Sequence, residues 1–206
     1  MSLEPGKIGS TRAYTGRVIS LDVDDVRFPD GSTGKLEIIR HPGACAIVPL
    51  LDIDANVLDD ILGSNSMTSD SAMIDPTVVL IRQYRYAANG YMYEIPAGRL
   101  EPEETPAVCA NRELAEETGY RANRVELLLT MFTTPGFTDE KIHLFIGTGL
   151  TLGASAREAD EFLEVKPTRL SAALGMIESG EIQDSKTALA LFLTEKWIKR
   201  SKQPKY

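Results

Sequence analysis

Apolar and polar residues alternate over the first part of the chain, from about Tyr14 to Ile39. The apolar positions in this alternation are Val18, Ile19, Leu21, Val23 and Val26. Pro29-Asp30-Gly31 interrupts the alternation and favours a tight turn, because proline fixes φ and glycine accepts a positive φ. The pattern predicts a small antiparallel β meander, which we assign to residues 1–43.

Two strongly apolar segments follow the meander. Residues 44–50 (ACAIVPL) and 77–84 (TVVLIRQY) each have the length and composition of a buried strand. Residues 52–76 are rich in Asp, Ser, Asn and Met, and they are too numerous for a hairpin loop. We therefore predict a flexible insertion at 52–76, with one helical turn near residues 57–62.

The second half of the chain combines strand-like and helix-like segments. Strands are predicted at 125–132, 142–150 and 161–167, and helices at 106–118, 170–178 and 186–199. Strands with helices on both sides predict an α/β fold, specifically an α/β/α sandwich with a mixed sheet. We assign residues 44–206 to this domain, to which the N-terminal meander is appended.

Composition and charge narrow the range of functions. The chain has 206 residues and a formal net charge of −8, whereas proteins that bind nucleic acid normally have a basic surface. No apolar segment is long enough to span a bilayer, and the N-terminus lacks the apolar core of a signal peptide. Cys45 and Cys109 lie in apolar surroundings, which predicts buried free thiols in a reducing compartment. We expect a cytoplasmic protein that binds neither nucleic acid nor membranes.

One predicted helix has clear boundaries in the sequence. Thr105 favours the N-cap position, Pro106 the first helical position, and Gly119 the left-handed conformation that ends a helix. The inner face of this helix is predicted to consist of Ala107, Ala110 and Leu114.

Three carboxylates share one face of the same helix, because Glu113, Glu116 and Glu117 stand at i, i+3 and i+4. Two of them lie in the last turn, where the helix dipole disfavours negative charge. Arg112 offsets part of this charge through Glu116 or Glu104. A divalent cation offsets the rest, and carboxylate oxygens at this spacing suit Mg²⁺, with Mn²⁺ as the alternative.

A solvated acidic helix face is the competing interpretation of these carboxylates. The residues before the helix favour a metal site instead. Glu94-Ile95-Pro96-Ala97-Gly98 is predicted to be a strand end followed by a glycine turn, which permits close approach of the backbone to the acidic helix.

The spacing of these residues matches a known pattern. Gly98, Glu104 and residues 112–120 fit G-x5-E-x7-R-E-U-x-E-E-x-G-U, where U is a bulky apolar residue. This pattern resembles the signature box of the Nudix hydrolases. The resemblance implies the α/β/α Nudix fold and metal-assisted cleavage of a diphosphate.

The resemblance also implies roles for the residues of the box. The implied metal ligands are the carboxylates of Glu113, Glu116 and Glu117 and the carbonyl of Ala97. Arg112 is implied to orient these carboxylates in partnership with Glu104. Together with Glu117, these two residues form the catalytic part of the box.

Segments outside the box are similar to Nudix enzymes that act on ADP-ribose. Pro135 lies sixteen positions after Gly119, where that subgroup has a proline. The other similar segments are 41–44 (HPGA), 82–86 (RQYRY) and 180–187 (GEIQDSKT). The resemblance implies hydrolysis of ADP-ribose to AMP and ribose 5-phosphate. Hydrolysis of other nucleoside diphosphate sugars and a non-catalytic ligand-sensing module are the open alternatives.

Hydrolysis needs a further carboxylate that positions or deprotonates the attacking water. In the ADP-ribose subgroup this base lies on a late loop, which residues 157–165 resemble. Glu161 is the first candidate because the strand predicted after it would hold it in place. Glu158 is the second candidate and Glu140 the third.

Arg85 is predicted to bind a substrate phosphate, because a guanidinium donates parallel hydrogen bonds to phosphate oxygens. Arg82 is a second candidate, with a structural ion pair as its alternative role. Glu94 is predicted to contact a substrate hydroxyl or amine, or a water at the metal. Pro135 and Glu140 complete the predicted substrate site.

The resemblance implies a homodimer in which the N-terminal strands exchange across a two-fold axis and contribute to the partner's substrate site. The predicted meander is too short to bury a core alone, which agrees with docking on another surface. Leu36 stands where relatives often have an arginine, so the usual contact from the partner is in question. Phe28 and Tyr14 are the candidates for stacking on adenine.

Overall fold

The computed structural model describes residues 4–53, 75–153 and 163–200, without the side chain of Arg200. Most of the predicted insertion at 52–76, including its helical turn near 57–62, lies outside the described residues. The two predicted bases Glu158 and Glu161 also lie outside them.

Ten strands, three α-helices and one 3-10 helix (Tyr86–Ala88) occur in the described part of the chain. The strands are β1 (Gly6–Thr15), β2 (Ser20–Arg27), β3 (Thr33–Arg40), β4 (Ala44–Pro49), β5 (Thr77–Arg85), β6 (Gly90–Glu94), β7 (Ala97–Arg99), β8 (Tyr120–Phe132), β9 (Lys141–Leu152) and β10 (Leu163–Arg169). The helices are α1 (Pro106–Thr118), α2 (Leu170–Glu178) and α3 (Ser185–Arg200). The predicted α/β class is confirmed.

The N-terminal meander is confirmed as an antiparallel sheet in the order β1-β2-β3. The turn between β2 and β3 uses Gly31 at a φ of 86°, and the N–H of Gly31 donates to the carbonyl of Phe28 at 2.9 Å. The first strand begins at Gly6, earlier than the apolar alternation indicates. Polar contacts to β2 hold it instead: Ser10 Oγ donates to Asp24 Oδ1 at 2.6 Å.

The chain divides into two compact units. The first consists of the described residues of Met1–Ala44 and Thr130–Ile142. Within it, the N–H of Ile39 donates to the carbonyl of Phe137 at 2.8 Å, and the N–H of Asp139 donates to the carbonyl of Ile39 at 3.2 Å. The second unit consists of the described residues of Cys45–Leu129 and His143–Tyr206.

The second unit contains the apolar core and an antiparallel sheet in the order β10-β5-β6. Another sheet of the protein has the order β7-β4-β9-β8. Every residue of β4 is buried, which explains why its sequence is a continuous apolar run without alternation. The largest fully buried side chains include Ile47, Leu50, Leu80, Ile81, Leu114, Leu144 and Ile146. Cys45 and Cys109 are both free and buried, as predicted.

Helix α1 has the predicted bounds. Pro106 occupies the first turn, and Gly119 ends the helix at a φ of 80°. Thr105 occupies the N-cap position, but its side chain makes no capping hydrogen bond. The predicted inner position of Ala107 is wrong: this residue is exposed, because the first turn lines an open cleft. Cys109, Ala110, Leu114 and Ala115 form the buried apolar face.

None of the helices in the described ranges is long and apolar enough to cross a bilayer.

Candidate active site

Helix α1 and the turn between β6 and β7 are joined by a buried carboxylate. Glu117 is only 2 % exposed, and its Oε2 accepts the backbone N–H of Ala97 at 3.0 Å. An ionised carboxylate that accepts a backbone N–H makes a charge-assisted hydrogen bond, which is stronger than a neutral one. The last turn of α1 is therefore fixed against the first residue of β7.

Position 98, the second residue of β7, requires glycine. A Cβ at position 98 would overlap the carboxylate of Glu113, with the side-chain carbon and both oxygens as its nearest neighbours. Only glycine lets the backbone approach this carboxylate so closely. The glycine of the box therefore serves the contact between β7 and α1.

Arg112 donates hydrogen bonds to the other three carboxylates of the box, those of Glu104, Glu113 and Glu116. Its Nε and Nη2 donate to the two oxygens of Glu104 at 2.9 and 3.0 Å, so the predicted pairing with Glu104 is present. Its Nη1 donates to Glu113 Oε1 at 2.7 Å and to Glu116 Oε2 at 2.9 Å. The hydrogen bonds from Arg112 hold the pKa of Glu104 below its ordinary value, and the bond to Glu104 in turn raises the pKa of Arg112.

The donor set of the box fits a hard divalent cation in its chemistry. Glu113, Glu116 and Glu117 offer carboxylate oxygens, the ligands that Mg²⁺ and Mn²⁺ prefer, beside a backbone that approaches Glu113 closely at Gly98. Across the described ranges, no three His, Cys, Asp or Glu side chains are already grouped to hold a metal ion. Arg112 Nη1 bridges Glu113 and Glu116 through one oxygen of each carboxylate, so the guanidinium holds these two side chains next to each other.

A second charged network lies at the end of β6. Glu94 is 2 % exposed, and its two oxygens accept hydrogen bonds from Arg85 Nε at 2.7 Å and Arg85 Nη2 at 3.0 Å. Lys186 Nζ also donates to Glu94 Oε2, at 2.5 Å. Burial alone would raise the pKa of Glu94, but the bonds and charges of Arg85 and Lys186 bring this pKa below its ordinary value.

Arg85 also lies close enough to the box to interact with it electrostatically. Its pKa is raised first by the hydrogen bond to Glu94, and the charges of Glu117 and Asp184 add to this effect. Of the predicted phosphate-binding residues, Arg85 is thus the one near the acidic helix.

The turn between β6 and β7 is also hydrogen-bonded to the first turn of α3. Thr187 Oγ1 accepts the backbone N–H of Ile95 at 2.9 Å and donates to Asp184 Oδ2 at 2.5 Å. Asp184 caps α3, since its Oδ2 also accepts the N–H of Thr187 at 3.0 Å. The carbonyl of Pro96 accepts the N–H of Ile47 at 3.0 Å. Each residue from Ile95 to Ala97 is therefore hydrogen-bonded through its backbone to a different element.

Arg82 occupies a different face of the sheet. In the register, Arg82 lies opposite Glu164 on one side and Tyr93 on the other, while Gln83 and Arg85 point the other way along β5. Arg82 Nη1 lies 3.3 Å from Glu164 Oε1, and its guanidinium stacks 4.2 Å above the ring of Tyr91. Its structural ion pair is thus present, and its role in substrate binding stays a prediction.

Pro135 and Glu140 belong to the first compact unit. Pro135 lies in a turn whose Thr134 carbonyl accepts the N–H of Phe137 at 3.2 Å. Glu140 Oε2 accepts the hydroxyl of Thr133 at 2.8 Å, and Glu140 Oε1 lies 3.3 Å from His41 Nδ1. The roles predicted for both residues in the substrate site stay predictions.

Sequence reasoning did not assign a site role to Lys186, Asp184 or Thr187. A signal was present, because an aspartate at a helix start followed by a lysine and a threonine places three polar side chains at one N-terminus. The sequence does not reveal the distant partners of two of these side chains, because Lys186 contacts Glu94 and Thr187 contacts the N–H of Ile95, about ninety positions earlier.

Comparisons with known proteins agree with this geometry. The sequence profile of the NUDIX domain matches residues 68–189. The methanol dehydrogenase activator of Bacillus methanolicus is 38% identical over 190 residues, covering 91% of each chain. The ADP-ribose pyrophosphatase of Bacillus subtilis (strain 168) is 36% identical over 192 residues, covering 92% of each chain.

A solved structure, described as the crystal structure of ADP compounds hydrolase, resembles this chain with a TM-score of 0.75 over 97% of both chains, at 21% sequence identity. This likeness confirms the predicted Nudix architecture. With the domain match over more than half of the chain and a full-length relative above 30% identity, the protein is a member of the Nudix hydrolase family.

Proposed function

We propose that this protein hydrolyses the diphosphate of ADP-ribose to AMP and ribose 5-phosphate. The observation that carries the proposal is the fixed position of β7, at Ala97 and Gly98, against two carboxylates of α1, those of Glu117 and Glu113. The similarity to the Bacillus subtilis ADP-ribose pyrophosphatase over nearly the full length of both chains supports this choice of substrate.

The proposed metal ligands are the carboxylates of Glu113, Glu116 and Glu117 and the carbonyl of Ala97. When bound, Mg²⁺ or Mn²⁺ supplies charge neutralisation at the diphosphate and lowers the pKa of a coordinated water. The chain's own contribution is to hold these oxygens on two rigid elements, so that little reorganisation is needed during the reaction.

Arg112 and Glu104 have a positioning role in this proposal. The guanidinium fixes one carboxylate through two hydrogen bonds and contacts the two carboxylates beside it. We assign the water-activating base to Glu161, with Glu158 as the second candidate, both on the segment before β10. Pro135 and Glu140 are proposed to line the substrate site, and Arg82 is the less favoured of the two arginine candidates.

Arg85 is proposed to bind a phosphate of the substrate. Its side chain is 40% exposed, and the planar donors of its guanidinium suit phosphate oxygens. Glu94, which pairs with Arg85, is then the residue that holds this guanidinium until a phosphate binds. The alternative, a direct contact of Glu94 with substrate, requires the buried carboxylate to leave its two cations.

The N-terminal meander, residues 1–43, is proposed to form a homodimer interface. Ile8, Tyr14 and Leu36 are large apolar residues that are more than one third exposed in this unit. The boundary between the meander and the Nudix domain, placed between residues 43 and 44, belongs to the same proposal. Size-exclusion chromatography with light scattering tests it, and a monomer at micromolar concentration would contradict it.

A second function is supported by one relative. The methanol dehydrogenase activator of Bacillus methanolicus is about as similar to this chain as the pyrophosphatase is. The chain could therefore act on a partner enzyme as an activator, or sense a nucleotide without turnover. A protein that binds ADP-ribose but forms no product from any diphosphate would favour this second function.

The test of the proposed function is a substrate panel at saturating Mg²⁺. The panel contains ADP-ribose, ADP-glucose, GDP-mannose, NADH and a diadenosine polyphosphate, with products separated by chromatography. We expect the highest kcat/KM with ADP-ribose, and equal amounts of AMP and ribose 5-phosphate. A higher kcat/KM with another nucleoside diphosphate sugar would contradict ADP-ribose as the preferred substrate, whereas the proposed diphosphate hydrolysis would still hold.

A further inference from the structure

The buried carboxylate Glu94 has two cationic partners on different elements. Arg85 comes from the end of β5, and Lys186 comes from the first turn of α3. Both contact the carboxylate directly, and both share its Oε2. One cation is sufficient to balance one carboxylate, so the second needs an explanation.

The two cations differ in exposure. The side chain of Arg85 is 40% exposed, whereas that of Lys186 is 16% exposed. Arg85 can therefore reach a ligand in solvent without unfolding the turn, and Lys186 cannot do so to the same extent. The exposed member of the pair is also the one whose planar donors match a phosphate.

Lys186 has a second contact, but that contact leaves its charge available to Glu94. Its Nζ lies 2.9 Å from Asp184 Oδ2. The same oxygen of Asp184 accepts the N–H and the hydroxyl of Thr187, and the N-terminal end of a helix dipole stabilises negative charge there. Asp184 is thus stabilised by α3 itself.

We propose that Lys186 is a positioning residue that keeps Glu94 compensated when Arg85 leaves it to bind a phosphate of the substrate. In the described arrangement Arg85 donates two hydrogen bonds to Glu94. When Arg85 turns to an anionic ligand, Lys186 stays on Glu94 and prevents an unpaired buried charge. This exchange lowers the free energy that is needed to release Arg85 from Glu94. The proposal rests on the proposed role of Arg85 in substrate binding.

The energetic reason is the cost of an isolated buried charge. Removing one partner of a buried ion pair is strongly destabilising, because the other charge is left uncompensated. With Lys186 in place, loss of Arg85 from Glu94 leaves one ion pair intact. Without Lys186, Arg85 is the remaining cation in contact with Glu94 among the described residues, and substrate must compete with it.

The first test measures thermal stability without substrate. R85Q mimics the released state of Arg85, and we expect R85Q and K186Q each to lower Tm by only about 3 °C. The double variant R85Q/K186Q should lose more than about 10 °C, well beyond the sum, because Glu94 then has neither cation. Adding E94Q to the double variant should recover most of the loss. The matched control is R85Q/K199Q, since Lys199 forms an exposed pair with Glu195 and its effect should be additive.

The second test separates KM from kcat with ADP-ribose as the probe. K186Q should raise KM on the order of tenfold, because less Arg85 is free to bind, while kcat changes little. K186Q/E94Q should have a lower KM than K186Q, since Arg85 is no longer held by the carboxylate, and K186R should keep the wild-type KM. If the role of Lys186 were purely structural, the additional substitution E94Q would not lower the KM of K186Q.

Additive Tm losses in R85Q/K186Q would overturn the proposal, as would a KM for K186Q that equals the wild-type value. If the wild-type protein does not hydrolyse ADP-ribose at all, the proposed function fails. The stability cycle still decides in that case whether Lys186 compensates Glu94 in the absence of Arg85.

Discussion

The carboxylate of Glu117 accepts the backbone N–H of Ala97 at 3.0 Å, so the acidic helix α1 is joined directly to strand β7. The N–H that Ala97 donates and the carbonyl that we propose as a metal ligand belong to the same residue. A change in Glu117 therefore acts on two proposed ligands at once.

Glu117→Gln should lower kcat for ADP-ribose by at least about 100-fold, because an amide binds a divalent cation more weakly than a carboxylate does. The fold should persist, since the amide oxygen can still accept the N–H of Ala97. Steady-state kinetics at saturating Mg²⁺, with circular dichroism as the check on folding, measure both effects. Glu101→Gln is the matched control, because Glu101 is an exposed carboxylate in the same segment. Product formation by E117Q at the wild-type rate would remove Glu117 from the mechanism.

Gly98→Ala should reduce both stability and activity. The added Cβ would overlap the carboxylate of Glu113, and relieving such a clash costs about 1–3 kcal/mol. Urea unfolding and kcat measured on the same preparation give the two effects.

The control for this substitution is Gly175→Ala. Gly175 is exposed in α2, and the space that an alanine Cβ would occupy there is open, so alanine should raise stability by roughly 0.5–1 kcal/mol. Equal responses of Gly98 and Gly175 to alanine would show that close approach to Glu113 is not what position 98 requires.

Arg112→Lys should destabilise the protein by about 1–3 kcal/mol, although the charge is kept. The guanidinium donates to both oxygens of Glu104 and to two further carboxylates, and a lysine ammonium cannot span these acceptors. Chemical denaturation measures the loss. Arg124→Lys provides the comparison, because the pair of Arg124 with Glu126 is partly exposed and such pairs contribute little. Losses of similar size at the two positions would argue against a special role for Arg112.

The pH dependence of stability should reflect Glu104. Arg112 lowers the pKa of Glu104 in the folded protein, so the unfolded chain binds the proton more readily. The stabilisation is fully present above the ordinary glutamate pKa of about 4.3, and it is lost as the pH falls through the lower folded value. The difference in unfolding free energy between wild type and Glu104→Gln should therefore shrink from pH 7 to pH 3. A difference that stays constant over this range would exclude the linkage.

The sequence predicts local features of the site better than long-range ones. The bounds of α1 follow from Pro106 and Gly119, which fix a helix start and a helix end by their own backbone preferences. The pairing of Arg85 with Glu94 could not be predicted in the same way. In the hairpin register Arg85 lies opposite Gly90, and Glu94 lies opposite Ile81, so no neighbour rule joins the two side chains.

The strand β1 illustrates another limit of sequence patterns. The residues of β1 are largely exposed. Its contact with β2 includes an ion pair between Arg12 and Asp22, where a strand with a buried face would have contacts between apolar residues. Hydrophobic alternation identifies a strand only where one face is buried, and cross-strand ion pairs have no fixed spacing along the chain. The apolar pattern therefore places the start of β1 too late.

Calorimetric titration of MnCl₂ into the wild-type protein and into the variant E113Q/E117Q tests most directly whether the carboxylates of α1 hold a divalent cation. We predict saturable uptake by the wild type, in the presence and absence of AMP, and loss of at least about tenfold in affinity in the variant. No uptake by the wild type under either condition, or equal affinity in the variant, would contradict the proposed metal site.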